Sequence, residues 1–137
     1  MRLLIDINVL LDVALQRPAA PMSARLLAQC GRQHEAWLAW HSIATLAYLI
    51  ERQASAVSAR DFIRGLLGWA QVAATGTQDA VVALDSPLAD FEDALQVAAA
   101  TACGAQFIIT RNERDFKKSA VPALSPDVFL RRHGSDS

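Results

Sequence analysis

The stretch Arg2-Leu-Leu-Ile-Asp6 opens the chain with a short apolar run that ends in an acid. Such a run predicts a strand that is buried on both faces, as in parallel sheets. Further short strands are predicted at Glu35–Trp40, Gln71–Thr75 and Gln106–Thr110. Because stretches with helical spacing of apolar residues lie between these runs, the pattern predicts an α/β sandwich around a mostly parallel sheet of four or five strands.

Turn and capping residues mark the predicted ends of the intervening helices. Asn8 and Ser42 stand where a side-chain oxygen can cap a helix. Gly31 and Gly104 stand where a helix is expected to stop, and Ser125-Pro126 begins the last helix. We therefore predict a single domain over residues 1–133 and a short flexible tail over residues 134–137.

The composition favours a folded, soluble protein. Hydrophobic residues make up 53% and charged residues 20% of the 137 residues. The formal net charge of −1 does not indicate a strongly basic nucleic-acid binder, although it leaves room for a local basic patch. The longest apolar stretch, Ala36 to Ile50, is too short to span a bilayer, and the first residues do not resemble a secretory leader. We expect a cytoplasmic protein that does not enter a membrane.

The cysteines and tryptophans are predicted to be core residues. Cys30 and Cys103 lie in Ala-rich helical contexts, which favours reduced thiols over a disulfide or a metal pair. Trp37, Trp40 and Trp69 are expected to pack inside the protein rather than to serve as stacking platforms for bases.

Four acids stand out because they come from three distant stretches and are predicted to share one edge of the sheet. Asp6 follows the first strand, and Asp115 comes shortly after the fourth. Asp90 and Asp93 open the helix that precedes the fourth strand, and residues at i and i+3 share a helix face. Since ligand sites in open parallel sheets lie at the carboxyl ends of the strands, we expect these four side chains to lie near one another.

A cluster of carboxylates suits a hard divalent cation. Mg²⁺ commonly takes one or two carboxylates, several waters and substrate phosphate oxygens. A bound metal can generate hydroxide and offset the charge that builds on a phosphodiester. Asp6, Asp93 and Asp115 are the candidate ligands, with Asp90 nearby. Supporting hydrogen-bonding roles are predicted for Asn8, Thr110 and Asn112.

Structural explanations for the charged residues also stay open. Asp6 or Asp90 can serve a helix N-terminus, and Asp115 can pair with Arg111 or Arg114. The other acids are predicted to be surface or capping residues, namely Asp12, Asp61, Asp79 and Asp85. The basic residues after the fourth strand can hold a nucleic-acid backbone or form an ordinary solvated face, and they are Arg111, Arg114, Lys117 and Lys118.

Three motifs resemble the PIN domain family and occur in its order. They are Leu4-Ile-Asp-Ile-Asn-Val-Leu-Leu-Asp12, Asp90-Phe-Glu-Asp-Ala-Leu95 and Ile109-Thr-Arg-Asn-Glu-Arg-Asp-Phe116. The resemblance covers essentially the whole chain. The size is similar to that of compact bacterial PIN proteins, including the VapC-like toxins of toxin–antitoxin pairs.

The resemblance implies a three-layer α/β/α fold and a Mg²⁺- or Mn²⁺-dependent endoribonuclease, of the kind found as the toxin of such a pair. It implies metal binding by Asp6, Asp93 and Asp115, with Asp90 as an auxiliary acid. Thr110 and Asn112 become supporting residues at the end of the fourth strand. RNA as substrate, an antitoxin protein as partner and a homodimer are further expectations.

One position departs from the family pattern. Many PIN nucleases carry a glutamate in the helix after the second strand, and the matching position here is Tyr48. Glu51, one turn later, is the candidate substitute. The departure keeps a second hypothesis open, a non-catalytic PIN-like module that binds RNA or a partner protein.

Two other classes fit the residues less well. Asp6-Ile-Asn8-Val9 loosely resembles the nucleophile loop of haloacid dehalogenase phosphatases, but that mechanism needs an acid at position 8 and a cap. A receiver domain needs an acid at the end of the third strand and a lysine after the last strand, and neither is evident.

Overall fold

At the centre of the computed structural model, which describes residues 1–134, lies a fully parallel sheet. Its strands in chain order are β1 (Arg2–Ile5), β2 (Glu35–Leu38), β3 (Gln71–Val72), β4 (Phe107–Ile109) and β5 (Ala123–Leu124). They lie side by side in the order β3-β2-β1-β4-β5. The predicted α/β class is confirmed, and the short β5 is the one strand that the sequence pattern did not place.

Helices connect these strands and cover both faces of the sheet. They are α1 (Ile7–Ala14), α2 (Ala20–Cys30), α3 (Trp40–Gln53), α4 (Ala56–Leu67), α5 (Thr77–Leu84), α6 (Phe91–Cys103) and α7 (Pro126–His133). A short 3₁₀ turn, Glu113–Phe116, lies between β4 and β5.

The side chains of β1 show how the layers are arranged. Leu3 and Ile5 pack in one buried cluster with side chains of α1, α2, α3, α4 and α7. Leu4, which points to the opposite face, packs in a second cluster with side chains of α6. All three leucine and isoleucine side chains are 0% exposed. Burial on both faces accounts for the uninterrupted apolar run and gives the three-layer α/β/α sandwich.

The strand order reverses direction between β1 and β4. The chain first extends the sheet from β1 through β2 to β3, and then returns to the other side of β1 to form β4 and β5. Asp6 directly follows β1 and Thr110 directly follows β4. The Asp6 amide donates to the Ile109 carbonyl at 2.9 Å, so the two strand ends meet. Such a reversal creates the crevice in which open α/β sheets bind ligands.

Two of the predicted helix caps, Asn8 and Ser42, are wrong by a few residues. Asp6 occupies the N-cap position of α1, and Asn8 lies inside the first turn. α3 begins at Trp40, so Ser42 lies inside the helix. The Ser55 hydroxyl caps α4 by accepting from the Ser58 amide. In contrast, Gly104 ends α6 in the left-handed conformation at φ 70°, as a C-terminal glycine is expected to do.

The prediction for the tryptophans is wrong in two of three cases. Trp40 is 69% exposed and Trp69 is 38% exposed. Trp37 is partly buried, with the Arg2 guanidinium 5.2 Å from its ring centre. Both cysteines are buried free thiols, as predicted, and burial raises the pKa of the Cys30 thiol to about 12.

Within residues 1–134, none of the helices combines the length and apolar character needed to cross a membrane. Residues 135–137 of the predicted tail lie outside the described residues.

Candidate active site

Asp6 is the buried centre of the site. Its side chain lies between the ends of β1 and β4 and is 5% exposed. The Thr110 hydroxyl donates to Asp6 Oδ2 at 2.8 Å. Although Asp6 occupies an N-cap position, its side chain makes no capping hydrogen bond there. Burial raises the pKa of Asp6, while the hydrogen bond from Thr110 acts in the opposite direction. The Thr110 hydroxyl, directly after β4, therefore helps to orient the carboxylate, in addition to the hydrogen bonds from Ile7 and Asn8 in the first turn of α1.

Gln96 and Ser42 complete the surroundings of Asp6, and the sequence did not predict either role. Gln96 Nε2 donates to Asp6 Oδ1 at 3.2 Å and also lies 3.4 Å from Ser42 Oγ. Gln96 is 1% exposed and Ser42 is 2% exposed. The signal for Gln96 was its position three residues after Asp93, because that spacing places both on one face of α6.

Asp90 and Asp93 lie at the N-terminus of α6 and have different roles there. Asp90 is the N-cap residue, and its Oδ1 accepts from the Asp93 amide at 3.1 Å. Asp93 lies in the first turn and is partly buried. The helical explanation left open for Asp90 is therefore correct. The Asp93 carboxylate, which makes no capping bond, is the one left to act at the site.

The charge of Asp93 is repelled by acids that come from separate elements of the fold. The pKa of Asp93 is raised from 3.8 to about 6, first by burial and then by repulsion from Asp90, Asp6, Asp115 and Glu92. Glu92 also contributes to the raised pKa of Asp6. A carboxylate surrounded by like charges is stabilised by any cation that enters. Glu92 was not predicted, although its place between two candidate acids was a signal.

Asp115 belongs to the exposed turn that follows β4. Thr110 Oγ accepts from the Asn112 amide at 3.0 Å, and the Asn112 carbonyl accepts from the Asp115 amide at 3.0 Å. Asp115 itself is exposed, and no ion pair joins it to Arg111 or Arg114 among the described residues. Thr110 thus links the buried Asp6 to the segment that carries Asp115.

Asn8 and Glu51 differ in their relation to these acids. The Asn8 side chain is close enough to lower the pKa of Asp6 by hydrogen bonding. Glu51 is exposed on α3 and is not among the main causes of the raised pKa of Asp6 or Asp93. Tyr48 is also exposed, and its hydroxyl lies 3.3 Å from Arg52 Nη1. The structure brings Asn8 to the site but not Glu51.

The side-chain atoms available as metal ligands determine which kind of metal coordination the site fits. Among residues 1–134, no three His, Cys, Asp or Glu side chains converge closely enough to hold one metal ion together. The acids are neighbours rather than a closed cage. Gln96 Oε1 is buried beside Asp6 without a hydrogen-bond partner, which leaves one more oxygen atom that can coordinate a metal ion. One or two carboxylates with several waters is an arrangement that Mg²⁺ accepts, so the residues fit an open, hydrated site.

Two charged residues near the site depart from their predicted surface roles. Asp12 is 0% exposed, not a surface acid. Arg111 Nε lies 2.9 Å from Asp12 Oδ2, so this arginine, whose side chain is 41% exposed, pairs with a buried acid of α1. The Asp12 prediction failed because the acid occupies a helix position otherwise surrounded by apolar residues, where only a specific partner makes burial tolerable.

The PIN domain family model matches residues 2–114. This range runs from β1 to the start of the 3₁₀ turn and includes Asp6, Asp90 and Asp93, but it ends one residue before Asp115. The chain belongs to the PIN domain family. PIN domains are generally nucleases and usually use divalent metals. No curated protein matches the chain significantly. Within this PIN domain, β5 and α7 lie beyond the matched range.

We expect Asp93→Asn to stabilise the metal-free PIN domain at neutral pH. Because the folded-state pKa of Asp93 is about 6 against an ordinary 3.8, the folded protein binds this proton more tightly than the unfolded chain does. Stability is therefore lost as pH rises through that window. Asn removes the repelled charge, and a gain on the order of 1 kcal/mol is expected, since solvent screening reduces the full value at a partly exposed group.

Urea unfolding at neutral pH and near pH 4 measures this gain, which should shrink at the lower pH because Asp93 is then protonated in the folded state. Asp85→Asn at the exposed end of α5 is the matched control and should give no such gain. An equal gain at both pH values would mean that charge repulsion is not its cause.

Proposed function

We propose that this PIN domain is a Mg²⁺- or Mn²⁺-dependent endoribonuclease that hydrolyses RNA phosphodiester bonds. The observation that carries the proposal is that Asp6 follows β1, Asp93 lies in the first turn of α6 and Asp115 lies in the turn after β4, and that Asp6 and Asp115 both repel the charge of Asp93. Asp6, Asp93 and Asp115 are assigned as the metal-binding residues, and Asp90 as the auxiliary acid. The carboxyl edge of β1 and β4 is the crevice in which parallel sheets hold ligands.

The chain's own residues supply orientation and charge. Thr110 and Gln96 donate to the two oxygens of Asp6, so that this carboxylate is held in one direction. Asp90 fixes the first turn of α6 through the Asp93 amide. When bound, a divalent cation supplies Lewis acidity and lowers the pKa of a water. Residues that hydrogen-bond to a metal-binding carboxylate and orient it commonly strengthen metal binding. Thr110 and Gln96 are placed to do this for Asp6.

The openness of the site favours a polymeric substrate. Asp90 and Asp115 are exposed, and Asp93 is only partly buried. A hollow of about 640 Å³ lies elsewhere, between α2 and α4, and is lined mainly by apolar residues. Arg114, Lys117 and Lys118 are exposed around the 3₁₀ turn and can contact phosphates beside the acids. An exposed edge of this kind is accessible to a long RNA chain, whereas it encloses too little of a small molecule to hold it.

A role as the toxin of a toxin–antitoxin pair is part of the proposal. It rests on the compact size and the motif order, which are similar to those of VapC-like proteins. The resemblance to VapC-like proteins implies an antitoxin partner and a homodimer. A neighbouring upstream gene for a small DNA-binding protein, whose product binds this chain and suppresses cleavage, is the expected finding.

The second candidate function is a non-catalytic module that binds RNA or a partner protein. The observation that favours it is the lack of three converged ligands among residues 1–134. The exposed Tyr48 at the usual glutamate position, with Glu51 away from the acids, points the same way. RNA binding without metal binding or cleavage would support this module.

Calorimetric titration with Mn²⁺ tests the metal-binding step. We expect wild-type protein to bind, and Asp93→Asn to lose most of this affinity because a central carboxylate is gone. Asp85→Asn removes the same charge at an exposed position and should bind as wild type does. No binding to wild type at millimolar Mn²⁺, a limit of roughly 4 kcal/mol, would contradict the proposed function and favour the binding module.

A further inference from the structure

Asp12 is a fully buried acid that the proposed metal chemistry does not use. It lies in α1, and its side chain is 0% exposed. Ser23 Oγ donates to Asp12 Oδ2 at 3.1 Å, and Arg111 Nε lies 2.9 Å from the same oxygen. Arg17 Nη1 lies 4.0 Å from Asp12 Oδ1, which is too long for a hydrogen bond. The Asp12 carboxylate thus connects α1 to α2 through Ser23 and to the segment after β4 through Arg111.

Stability alone is a poor explanation for this arrangement. Taking a carboxylate out of water is costly, and an apolar residue of similar volume commonly serves a core as well. The cost here is only partly offset, because Asp12 Oδ1 is buried without a hydrogen bond. What the ion pair provides instead is a directed connection between a rigid helix and an otherwise exposed segment.

The segment that Asp12 holds is the one that leads to the site. Arg111 follows Thr110, whose hydroxyl donates to Asp6 at 2.8 Å. Its other neighbour, Asn112, donates its amide to Thr110 Oγ at 3.0 Å. Asp115 comes three residues later, in the 3₁₀ turn. Within residues 1–134, Arg111 therefore makes the only side-chain ion pair formed by the stretch between the end of β4 and that turn.

We propose that the Asp12–Arg111 ion pair is a positioning element that holds the segment Thr110–Asp115 so that Asp115 stays beside Asp6 and Asp93. The inference rests on the proposed function, since it assigns a task to Asp115. Arginine suits the task because its Nε–H points along a fixed direction of a planar group, whereas a lysine ammonium is a flexible point charge. Arg111 acts through Asp115 and needs no contact with the substrate.

Hydrogen exchange on the metal-free protein tests the positioning directly. Two amides report on the segment, those of Asn112 and Asp115, because each donates within it. Asp12→Asn keeps the side-chain shape and should speed exchange at both by at least about 10-fold, while the β1 and β4 amides keep their protection. Arg111→Lys should do the same with the positive charge retained. Asp61→Asn breaks an exposed Asp–Arg pair at 3.0 Å and is the matched control.

Metal affinity supplies the second measurement. We expect Asp12→Asn to weaken Mn²⁺ binding by about 10- to 100-fold, as loss of an orienting partner does. In an Asp115→Asn background the same change should have little further effect, because the pair acts through Asp115. An Asp12→Asn effect that is equally large in both backgrounds would overturn the inference.

The remaining outcomes are also decisive. Unchanged exchange at Asn112 and Asp115 in Asp12→Asn and Arg111→Lys overturns the positioning role, whatever the metal does. Exchange that rises equally in the sheet amides shows a general loss of stability and overturns it too. If wild type binds no Mn²⁺ while the segment alone loosens, the positioning of the segment stands and the proposed function fails.

Discussion

Cleavage of RNA in the presence of Mn²⁺ is expected to fall by at least about 100-fold when either Asp6 or Asp93 is replaced with Asn. Asn keeps the size of the side chain and removes the charge that attracts the cation. Asp6 is the more buried of the two, and its oxygens are already oriented by Thr110 and Gln96. Single-turnover cleavage of a labelled RNA, measured beside the circular dichroism spectrum of each variant, gives the result.

Controls separate loss of chemistry from loss of folding. Asp85→Asn carries the same charge change at an exposed position and should cleave at the wild-type rate. Asp93→Asn is expected to fold at least as stably as wild type, because its repelled charge is gone. Wild-type rates in both Asp6→Asn and Asp93→Asn would refute the assignment of these acids. The addition of a chelator to wild type should give the same loss as the variants.

Replacement of Phe129 with Ala is expected to lower the free energy of unfolding by about 3–5 kcal/mol. Phe129 in α7 is 0% exposed and packs in the main core cluster. Its ring centre lies 5.2 Å from that of His34, 5.1 Å from that of His133 and 6.3 Å from that of Phe107. Removal of the ring leaves a cavity between α7 and the sheet that these neighbours cannot fill.

The Phe129 variant also tests the domain boundary. The family match ends at residue 114, whereas we propose a single domain that extends to residue 133. Urea unfolding should show one transition, shifted to lower urea in Phe129→Ala. Val57→Ala changes an exposed aliphatic residue in α4 and should alter the free energy by less than about 0.5 kcal/mol. A loss below about 1 kcal/mol in Phe129→Ala would mean that α7 is not an integral part of the domain.

The fold was predictable where burial imposes a pattern. Arg2–Ile5 and Gln106–Thr110 read as buried strands because parallel strands covered on both faces must be almost wholly apolar. Gly104 marked the end of α6 because its φ of 70° suits glycine. In contrast, β5 has two residues, Ala123–Leu124, and depends on pairing with β4 for its existence. A two-residue strand that forms by pairing with its neighbour is too short to show a strand pattern in its own sequence.

The candidate site was predictable only in part, for a related reason. Asp6, Asp93 and Thr110 could be placed together because strand ends and helix faces follow from periodicity. Gln96 and Ser42 were missed, because a neutral amide or hydroxyl inside a helix carries no charge that marks it, and their hydrogen bonds become visible only in the tertiary structure. Asp12 was misjudged because its partner Arg111 is known only from the tertiary structure.

The Asp6–Thr110 hydrogen bond joins residues 104 positions apart, and this has a consequence for the stage of translation at which the candidate site can form. Translation delivers Asp6 104 residues before Thr110. A partly synthesised chain therefore contains the first carboxylate without its hydroxyl partner, without α6 and without Asp115. If the protein cuts RNA as proposed, a nascent chain that has not reached Thr110 and Asp115 leaves the ribosome and the message that produce it uncut, because its site is incomplete.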